Sequence, residues 1–546
     1  MKISTLIVSL LALLISGASQ RPALAGTPEQ PPNDVAHQRT PAANSFLYAA
    51  PTGKMKDATV FWHDGRYYVF CMYAKTRTGN DLVDYRNVWS AESDDGVHWR
   101  DVGAVIADAP FPIWAMGVHR AGGRFVMNHG SFGPEGHQNV IRFWESPDLR
   151  TWTYTGEKRD LYPDARWYDR QSRLDCMTVL PVQEQGRTVY YGYATGPGGF
   201  LRSEDGLSWQ GLPPPRIDWD GLRPPMADGE GMLEIGGAEC INGRYYLVGG
   251  WFNMFGMSGY GTYTLVGESP AGPFRPDPAA YRLCGNSLRW VALWARFCRT
   301  DRDVLVNGYL YDGYTYENGR TYLPPLKRAV VDGGGHLRLG YWKGNDALKG
   351  APLELAAAKV LLRHGTAQPE RRGTALQLSA GPEVNSFARV NVPSAIAVFD
   401  LPLPADQGLV IEGTLQASSQ ESRVTAPDVG LFLEETPEAG TALLLEGTGR
   451  TSIGAVRLGK GLSFDWEDVT GPGCASVKGM IPGQRHTFRL LLRGNLFELY
   501  LDDLLVQTFN TTHTPDAPGR TPQRLGLLVR NGTGVLDELR AWRMTL

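Results

Sequence analysis

The sequence predicts an all-β protein in which a five-bladed β-propeller is followed by a β-sandwich. One strand-turn-strand unit recurs five times before residue 349, and longer alternating strands follow it. The 15 Trp, 23 Tyr, 65 Gly and 37 Pro suit short strands that are joined by tight turns. A chain of 546 residues is also too long for one ordinary core, so two domains are expected.

The first 25 residues have the features of a signal peptide. Lys2 precedes an apolar run, and the segment ends in Ala23-Leu24-Ala25, a small-x-small cleavage pattern. The apolar run is shorter than the roughly 20 residues that a membrane-spanning helix needs. We therefore expect cleavage before Gly26, a linker over 26–45, and a secreted or periplasmic protein with no membrane contact after signal cleavage.

The repeat unit is an apolar strand, a turn that contains glycine, and a second strand rich in aromatic and β-branched residues. In the first copy these parts are 57–62, 63–66 and 67–73. Glycine supplies the positive φ that such a hairpin turn requires. Copies begin roughly every 50 to 65 residues, a spacing typical of propeller blades. The repeats predict a propeller over 46–348.

From Lys349 onwards the pattern changes. Alternating strands such as 408–415, 486–493 and 496–501 are separated by turn signals. This pattern predicts a β-sandwich over 349–546. We expect the sandwich to pack against the propeller and stabilise it, rather than to bind carbohydrate.

Charge and cysteine spacing exclude several classes of partner. The net charge is near −3 and no run of Lys and Arg is present, so a nucleic-acid partner is not expected. The six cysteines show no CxxC or Cys/His spacing, so we expect no metal and no cofactor. Export permits a disulfide such as Cys284 with Cys298, and buried thiols are the alternative.

Three acidic residues are predicted to be at or beside the starts of first strands. They are Asp57, Asp175 and Glu239. First strands line the channel of a propeller, so such residues converge at one mouth. Glycoside hydrolysis needs one carboxyl group to protonate the leaving oxygen and a second to attack or to activate water. A third can orient the sugar or raise the pKa of the acid.

These residues resemble the propeller glycosidases of families 32, 68 and 43, and family 32 enzymes also carry a sandwich. The resemblance implies that Asp57 is the nucleophile of family 32 or the general base of family 43. It also implies that Asp175 stabilises the transition state and that Glu239 of Glu239-Cys240 is the general acid. The sequence departs from the pattern because Ala58 follows Asp57 where both families usually have Pro. Glu239-Cys240 likewise lacks the following Pro.

Six further residues are predicted to bind substrate around the mouth. Aromatic rings there can stack on sugar faces, and Arg173 can pair with Asp175 and keep it ionised. The six residues are Trp114, His129, Arg173, Tyr193, Trp251 and Trp290.

The sequence leaves three functions open. The leading one is an exported hydrolase of furanoside bonds in an oligo- or polysaccharide that is fructan-like or arabinan-like. Carboxyl groups about 5 to 5.5 Å apart would retain configuration, and groups about 6.5 to 9.5 Å apart would invert it. A non-catalytic glycan-binding propeller is the alternative that the missing prolines raise. The third is a protein-interaction propeller, in which the mouth is apolar and the three acids do not converge. A separation of Asp57 from Glu239 beyond about 12 Å would refute the glycosidase hypothesis, because it exceeds both glycosidase separations.

Overall fold

The computed structural model describes residues 47–76, 78–131, 139–169, 174–195, 199–219, 234–252, 260–284, 293–311, 321–381, 384–386, 389–418, 426–459, 462–470, 474–476, 478–510 and 521–546. The expected signal peptide over 1–25 and the linker over 26–45 lie outside these residues. The residues described all belong to one compact unit. In them, no helix is long and apolar enough to cross a bilayer.

Four separate antiparallel sheets follow one another along the first half of the chain, and each is a blade of a propeller. Blade 1 contains β1 (Lys54–His63), β2 (Arg66–Ala74), β3 (Asn87–Ser93) and β4 (Arg100–Ile106). Blade 2 contains β5 (Trp114–Ala121), β6 (Arg124–Ser131), β7 (Val140–Ser146) and β8 (Thr153–Tyr154). Blade 3 contains β9 (Asp175–Glu184), β10 (Arg187–Thr195), β11 (Gly199–Ser203) and β12 (Gln210–Leu212). Blade 4 contains β13 (Glu234–Ile241), β14 (Arg244–Phe252), β15 (Tyr260–Gly267) and β16 (Phe274–Pro276), with β17 (Arg282–Cys284) paired to β15.

The remaining strands form two larger sheets and one separate two-stranded sheet. The β18 ladder contains β18 (Leu293–Arg299), β19 (Val304–Tyr311), β20 (Thr321–Tyr322), β21 (Lys327–Val331) and β22 (Leu337–Tyr341). The C-terminal strands are β23 (Lys349–Leu353), β24 (Val360–His364), β25 (Glu370–Arg372), β26 (Ala375–Gly381), β27 (Val384–Ser386), β28 (Arg389–Asn391), β29 (Ser394–Phe399), β30 (Leu409–Ser418), β31 (Asp428–Thr436), β32 (Ala439–Leu445), β33 (Thr451–Arg457), β34 (Ser463–Thr470), β35 (Arg485–Arg493), β36 (Leu496–Leu501), β37 (Leu504–Asn510), β38 (Arg524–Arg530) and β39 (Gly532–Met544). In the described part of the chain, the helical segments are short and comprise Asp81–Asp84, Glu157–Arg159, Lys343–Leu348 and Ala405–Gln407.

Two-residue turns of one kind join the first two strands of three blades. Asp64-Gly65, Gln185-Gly186 and Asn242-Gly243 all have positive φ at both residues. Turns with two positive φ values match the right-handed twist of the strands that they join. The repeated glycine turns in the sequence therefore predicted these hairpins correctly.

The expectation of five separate blades is corrected by the β18 ladder. Its last strand, β22, pairs with β37 of the C-terminal sheet through Gly340 and Leu504. The ladder is therefore part of a 13-stranded sheet, and four blades remain separate. This pairing satisfies backbone groups that an outer blade edge would otherwise leave open. The first strands β1, β5, β9, β13 and β18 nevertheless contact one another in cyclic order and surround one channel.

The C-terminal region contains two sheets that share a core. One continues from β22 in the order β37-β36-β35-β30-β39-β26-β25, and the other has the order β24-β29-β38-β31-β32-β33-β34. Leu431 and Leu527 of the second sheet and Ile411 and Leu490 of the first belong to one buried cluster. Alternate residues of each strand face this cluster, which is the arrangement of a sandwich.

The opposite face of the first C-terminal sheet packs against the propeller. Val410 and Leu491 of this sheet share a buried cluster with Tyr341 of β22. Lys327 of β21 forms an ion pair with Glu498 of β36, and both side chains are buried. The hydroxyl of Tyr500 donates to Glu498 Oε2 at 2.7 Å. Removing one member of such a buried pair leaves an uncompensated charge, so these contacts hold the two regions in one arrangement.

All six cysteines are described and are free thiols. Five are buried and Cys240 is half-buried. Cys284 and Cys298 are therefore not joined, and the buried-thiol alternative describes them. Burial raises the pKa of Cys284 to about 11 and that of Cys298 to about 12, so neither thiol is activated.

Candidate active site

Every first strand of the propeller carries a β-bulge close to its first residue. Four residues at these bulges adopt positive φ although they are not glycine. They are Asp57 (51°), Ala115 (46°), Cys176 (55°) and Trp294 (57°). A left-handed conformation costs such a residue about 1 to 2 kcal/mol. Strain of this kind persists where the surrounding structure requires it, most often at functional sites.

Hydrogen bonds between neighbouring blades place the bulges at one end of the channel. Asn307 of β19 donates from Nδ2 to the carbonyl oxygen of Ala58 at 3.0 Å, which joins the β18 ladder to blade 1. The backbone nitrogen of Ala115 donates to Met72 Sδ at 3.3 Å, which joins blade 2 to blade 1. The starts of β1, β5 and β18 therefore lie at the same end, which we call the mouth.

Two further contacts bring blades 3 and 4 to the mouth. Gly130 of β6 lies so close to Asp175 that a side chain at Gly130 would overlap it. Thr195 is the register partner of Asp175 within blade 3. The Oγ1 atom of Thr195 accepts a hydrogen bond from the backbone nitrogen of Ile235 at 3.2 Å. The second residue of β13 is thus fixed beside the first residue of β9.

Asp57 and Asp175 are both buried at the mouth, with 2% and 1% of their surface exposed. Asp57 lies in the bulge of β1, and Asp175 is the first residue of β9. The thiol of Cys176 donates to Asp175 Oδ1 at 2.9 Å. Burying a carboxylate costs free energy unless hydrogen bonds or opposite charges compensate it. The burial of these two residues therefore indicates a polar site at the mouth.

Glu239 lies elsewhere, and its predicted position at the mouth is wrong. It is the sixth of eight residues in β13, next to the hairpin turn. Its Oε1 atom accepts hydrogen bonds from Arg299 Nη2 and from the Cys240 nitrogen, both at 2.9 Å. Arg299 is the last residue of β18, whereas the first residues of β18 are at the mouth. A strand rises about 3.3 Å per residue, so Glu239 lies roughly 15 Å from the start of β13.

Glu234 takes the position that was expected for Glu239. It is the first residue of β13 and precedes Ile235, the residue that is bonded to Thr195. Its side chain is half-buried. The sequence contains a signal for this assignment in the distance to the hairpin turn. Asp57 precedes Gly65 by eight residues, and Glu234 precedes Gly243 by nine, whereas Glu239 precedes it by four.

His129 does not contact a substrate as predicted, because its side chain is completely buried. Its Nδ1 atom donates to the carbonyl oxygen of Gly130 at 2.9 Å, and its Nε2 atom accepts from Trp144 Nε1 at 3.1 Å. Burial lowers the pKa of His129 to about 4, so the ring is neutral. The ring instead fixes Gly130, the residue that lies against Asp175.

Tyr193 is also structural rather than a substrate contact. Its side chain is completely buried, and its hydroxyl donates to the carbonyl oxygen of Pro270 at 2.7 Å. The ring packs beside Phe200 with centroids 5.2 Å apart. Arg173 and Trp290 lie outside the described residues, as does the side chain of Trp251.

Trp114 lies at the mouth, next to a lysine that no sequence pattern singled out. The side chain of Trp114 is half-buried, and Lys56 Nζ lies 4.7 Å from the centroid of its ring. Lys56 is 8% exposed and directly precedes Asp57. An ammonium group over a Trp face is stabilised by the ring quadrupole. Lys56 and Trp114 therefore lie at the same end of the channel as Asp57, Asp175 and Glu234.

The fold is similar to those of several solved glycosidase structures. No protein-family model matches the sequence, and no curated protein matches it. A family 32 β-fructofuranosidase from Bombyx mori is similar with a TM-score of 0.59 and 12% identity, over 94% of this chain and 96% of that one. A sucrose-6-phosphate hydrolase from Lactobacillus gasseri has a TM-score of 0.60 and 13% identity, over 94% and 95%. An exo-inulinase from Aspergillus awamori has a TM-score of 0.59 and 14% identity, over 92% and 98%.

The chain has the fold of glycoside hydrolase family 32. The resemblance that the acidic residues suggested is therefore confirmed at the level of the fold, and it extends through the C-terminal sheets. Within this fold, the mouth is the end of the channel that contains the strained bulges, the buried Asp57 and Asp175, and Glu234 at the start of β13. Among the described residues, no group of three His, Cys, Asp or Glu side chains is placed to hold a metal ion.

Proposed function

We propose that the protein is an exported glycoside hydrolase that cleaves furanoside bonds with Asp57, Asp175 and Glu234 at the mouth of the propeller. The observation that carries the proposal is the Thr195 bond to Ile235, since it sets the first residue of β13 beside Asp175. The burial of Asp57 and Asp175 and the family 32 fold support the same conclusion.

The β18 ladder acts as the fifth blade in this proposal. Its first strand completes the ring of first strands, and Asn307 bonds it to blade 1 on both sides of Thr59. The pairing of β22 with β37 fuses the outer edge of this blade to the C-terminal sheet. The channel is then enclosed by five strands, with the carboxyl groups at one end.

The chemistry assigns one role to each carboxyl group. Glu234, the least buried of the three, donates a proton to the leaving oxygen as the bond between that oxygen and the anomeric carbon breaks. Asp57 attacks the anomeric carbon or takes a proton from an attacking water. Asp175 stabilises the positive charge that develops on the sugar ring, as a fixed carboxylate can without reorganisation.

Lys56 contributes to binding and electrostatics in this site. Its side chain is buried, and its ammonium group lies over the Trp114 ring. In the sequence, Lys56 directly precedes Asp57. A cation near the carboxylates offsets the repulsion among three negative groups that share one mouth. We assign the half-buried Trp114 ring to a sugar-stacking role at the mouth.

Export is part of the proposal, because the pattern over Met1–Ala25 is that of a signal peptide. Expression of the full chain in a bacterial host with an export pathway tests it. Recovery of a protein that begins at Gly26 from the periplasm or the medium is the expected result. Retention of the uncut chain in the cytoplasm would contradict it.

Sugar release from fructans, arabinans and aryl furanosides tests the activity. We expect the wild type to act on one class and the Asp57→Asn variant to lose at least 1,000-fold in kcat, as loss of a covalent or general-base catalyst does. Proton NMR of the first product decides whether the anomeric configuration is retained or inverted. Unchanged activity in the Asp57→Asn variant would remove Asp57 from the mechanism.

A glycan-binding propeller without catalysis is the second candidate. Ala58 supports it, since it stands where the related glycosidases usually have Pro. The same panel separates the two candidates. Binding of a glycan with no release of sugar, in a wild-type protein of native stability, would establish the binding function and refute the hydrolase.

A further inference from the structure

Exposed aromatic side chains are concentrated in one short segment. Large exposed hydrophobic residues in the described part of the chain comprise Val83, Val102, Tyr162, Trp167, Ile481 and Leu546. The two aromatic members of this set, Tyr162 and Trp167, are 46% and 44% exposed. Both belong to residues 161–168, which we call the rim loop. Scattered exposed aliphatic residues are ordinary, but two exposed rings in one loop indicate a binding surface.

One end of the rim loop is attached to blade 2 at the mouth. The backbones of Leu161 and Ile141 exchange two hydrogen bonds of 2.9 Å. Ile141 in turn pairs with Gly130, the residue that lies against Asp175. Adjacent strands are about 4.8 Å apart, so Leu161 lies two strand spacings, roughly 10 Å, from the Gly130 backbone.

The other end is attached to blade 3, also at its mouth end. The Tyr168 hydroxyl donates to the carbonyl oxygen of Leu212 at 2.7 Å and accepts from the nitrogen of Phe200 at 3.0 Å. Phe200 is the second residue of β11, and β11 begins beside the last residues of β10. The rim loop therefore spans blades 2 and 3 on the side where Asp175 lies.

Internal hydrogen bonds constrain the loop, and its charged side chains Asp164 and Arg166 are paired with each other. The backbone nitrogens of Trp167 and Tyr168 both donate to the carbonyl oxygen of Asp164 at 2.9 Å. The Asp164 carboxylate forms a two-pronged ion pair with Arg166, with bonds of 3.0 and 2.6 Å. A fixed backbone lowers the entropy cost of binding, and Tyr and Trp supply amphipathic contact area with few rotamers. A neutral chain of sugars fits such a surface.

We propose that Tyr162 and Trp167 form an outer subsite for a polymeric glycan whose terminal or internal bond is cleaved at the mouth. This inference rests on the proposed function and adds a preference for long chains. In this proposal, a disaccharide held at the carboxyl groups contacts neither ring, whereas a longer chain contacts both. The loop then increases the affinity for polymers without touching the reacting atoms.

Kinetics of a Tyr162→Ala/Trp167→Ala double variant on a short and a long substrate of one class test the proposal. Sucrose with inulin is one such pair, and arabinobiose with arabinan is the other. We expect kcat/KM on the polymer to fall at least tenfold, mainly through KM, while the disaccharide value stays within twofold. The matched control is Ile481→Ala, which removes an equally exposed side chain of the C-terminal region and leaves both values unchanged. An equal loss on both substrates, or no loss, overturns the proposal.

A binding measurement separates failure of the outer subsite from failure of the proposed function. Electrophoresis through gels that contain inulin or arabinan is used for the wild type and the variants. If the wild type cleaves no sugar but is retarded, and the double variant is not, the subsite stands and the hydrolase fails. If neither gel retards the wild type, the subsite is refuted. Tyr168→Phe, which keeps both rings and removes the loop anchor, should lose part of the retardation.

Discussion

The hydroxyl of Thr195 holds the backbone of Ile235 at 3.2 Å, across the boundary between blades 3 and 4. Thr195 ends β10 and is the register partner of Asp175, while Ile235 follows Glu234. One side chain therefore fixes the spacing between two of the three carboxyl groups proposed to act on the sugar. Spacing matters because displacements of about 1 Å in an active site can cost a hundredfold in rate.

Thr195→Val should reduce kcat about tenfold with little change in KM. The variant keeps the shape of the side chain but cannot accept the bond from Ile235, so the carboxyl spacing becomes less defined. The free energy of unfolding should fall by about 1 kcal/mol, the usual net value of one hydrogen bond. Kinetics and urea unfolding measure the two effects. Thr188→Val, at the other end of the same strand, is the control and should leave kcat unchanged.

Gly130→Ala should abolish most of the activity. A Cβ atom at this position overlaps Asp175, so the carboxylate must move. We expect a loss of at least 100-fold in kcat and about 1 to 3 kcal/mol of stability, as for overpacked cores. Gly123→Ala is the matched control in the same hairpin, because nothing lies within 4 Å of its Cβ. Equal activity in the two variants would refute the close approach of Gly130 to Asp175.

Gln185→Asn should stabilise the protein by about 0.5 to 1 kcal/mol. Gln185 has a φ of 49° in a two-residue turn before Gly186, and Asn tolerates this conformation better than Gln. Blade 4 uses Asn242-Gly243 at the equivalent turn. The midpoint of urea unfolding measures the effect. Asn242→Gln should shift that midpoint in the opposite direction, and a shift of the same sign in both would contradict the account.

Stability should fall as the pH is lowered from about 6.5 to about 4. Burial lowers the pKa of His119 and of His129 to about 4, whereas an unfolded histidine titrates near 6.5. The unfolded chain therefore binds protons in this window and the folded chain does not, which costs up to about 3 kcal/mol per histidine. Below pH 4 both states are protonated and the loss stops.

Urea unfolding between pH 7 and pH 4 measures this linkage. His129→Phe should be less stable than the wild type at pH 7, because Gly130 and Trp144 lose a partner, but its stability should depend less on pH. His119→Phe should show a similar reduction of the slope, and the double variant the sum. An unchanged slope in all three variants would show that neither histidine is responsible.

The hairpins of the propeller were predictable from the sequence because their turns are local. The residue types of Asp64-Gly65 and Asn242-Gly243 are enough to predict a turn. The apolar segments on either side of each turn are then predicted to be its two strands. The pairing of β22, the last strand of the β18 ladder, with β37 was not predictable in the same way. Gly340 pairs with Leu504, which is distant in the sequence, and no local pattern encodes that partner.

The positions of the candidate carboxyl groups were predicted only in part, because residue types alone did not locate the starts and the bulges of the first strands. Asp57 and Asp175 reach the mouth, but Glu239 was predicted to lie beside the start of its strand, whereas β13 begins five residues earlier at Glu234. An extra residue in a strand also exchanges its two faces. His129 lies opposite the bulge of β5, and it points into the blade instead of the mouth. Such shifts depend on backbone geometry that residue types alone do not specify.

The most direct test of the account compares Glu234→Gln with Glu239→Gln in one assay of sugar release. The two substitutions are identical and lie in the same strand, so they differ only in the end of the channel that they affect. The account predicts that Glu234→Gln loses at least 1,000-fold in kcat while its unfolding midpoint is nearly unchanged. Glu239→Gln should keep its activity within a few-fold and lose stability, because the ion pair with Arg299 is broken. Full activity in Glu234→Gln together with inactivity in a folded Glu239→Gln variant would contradict the account.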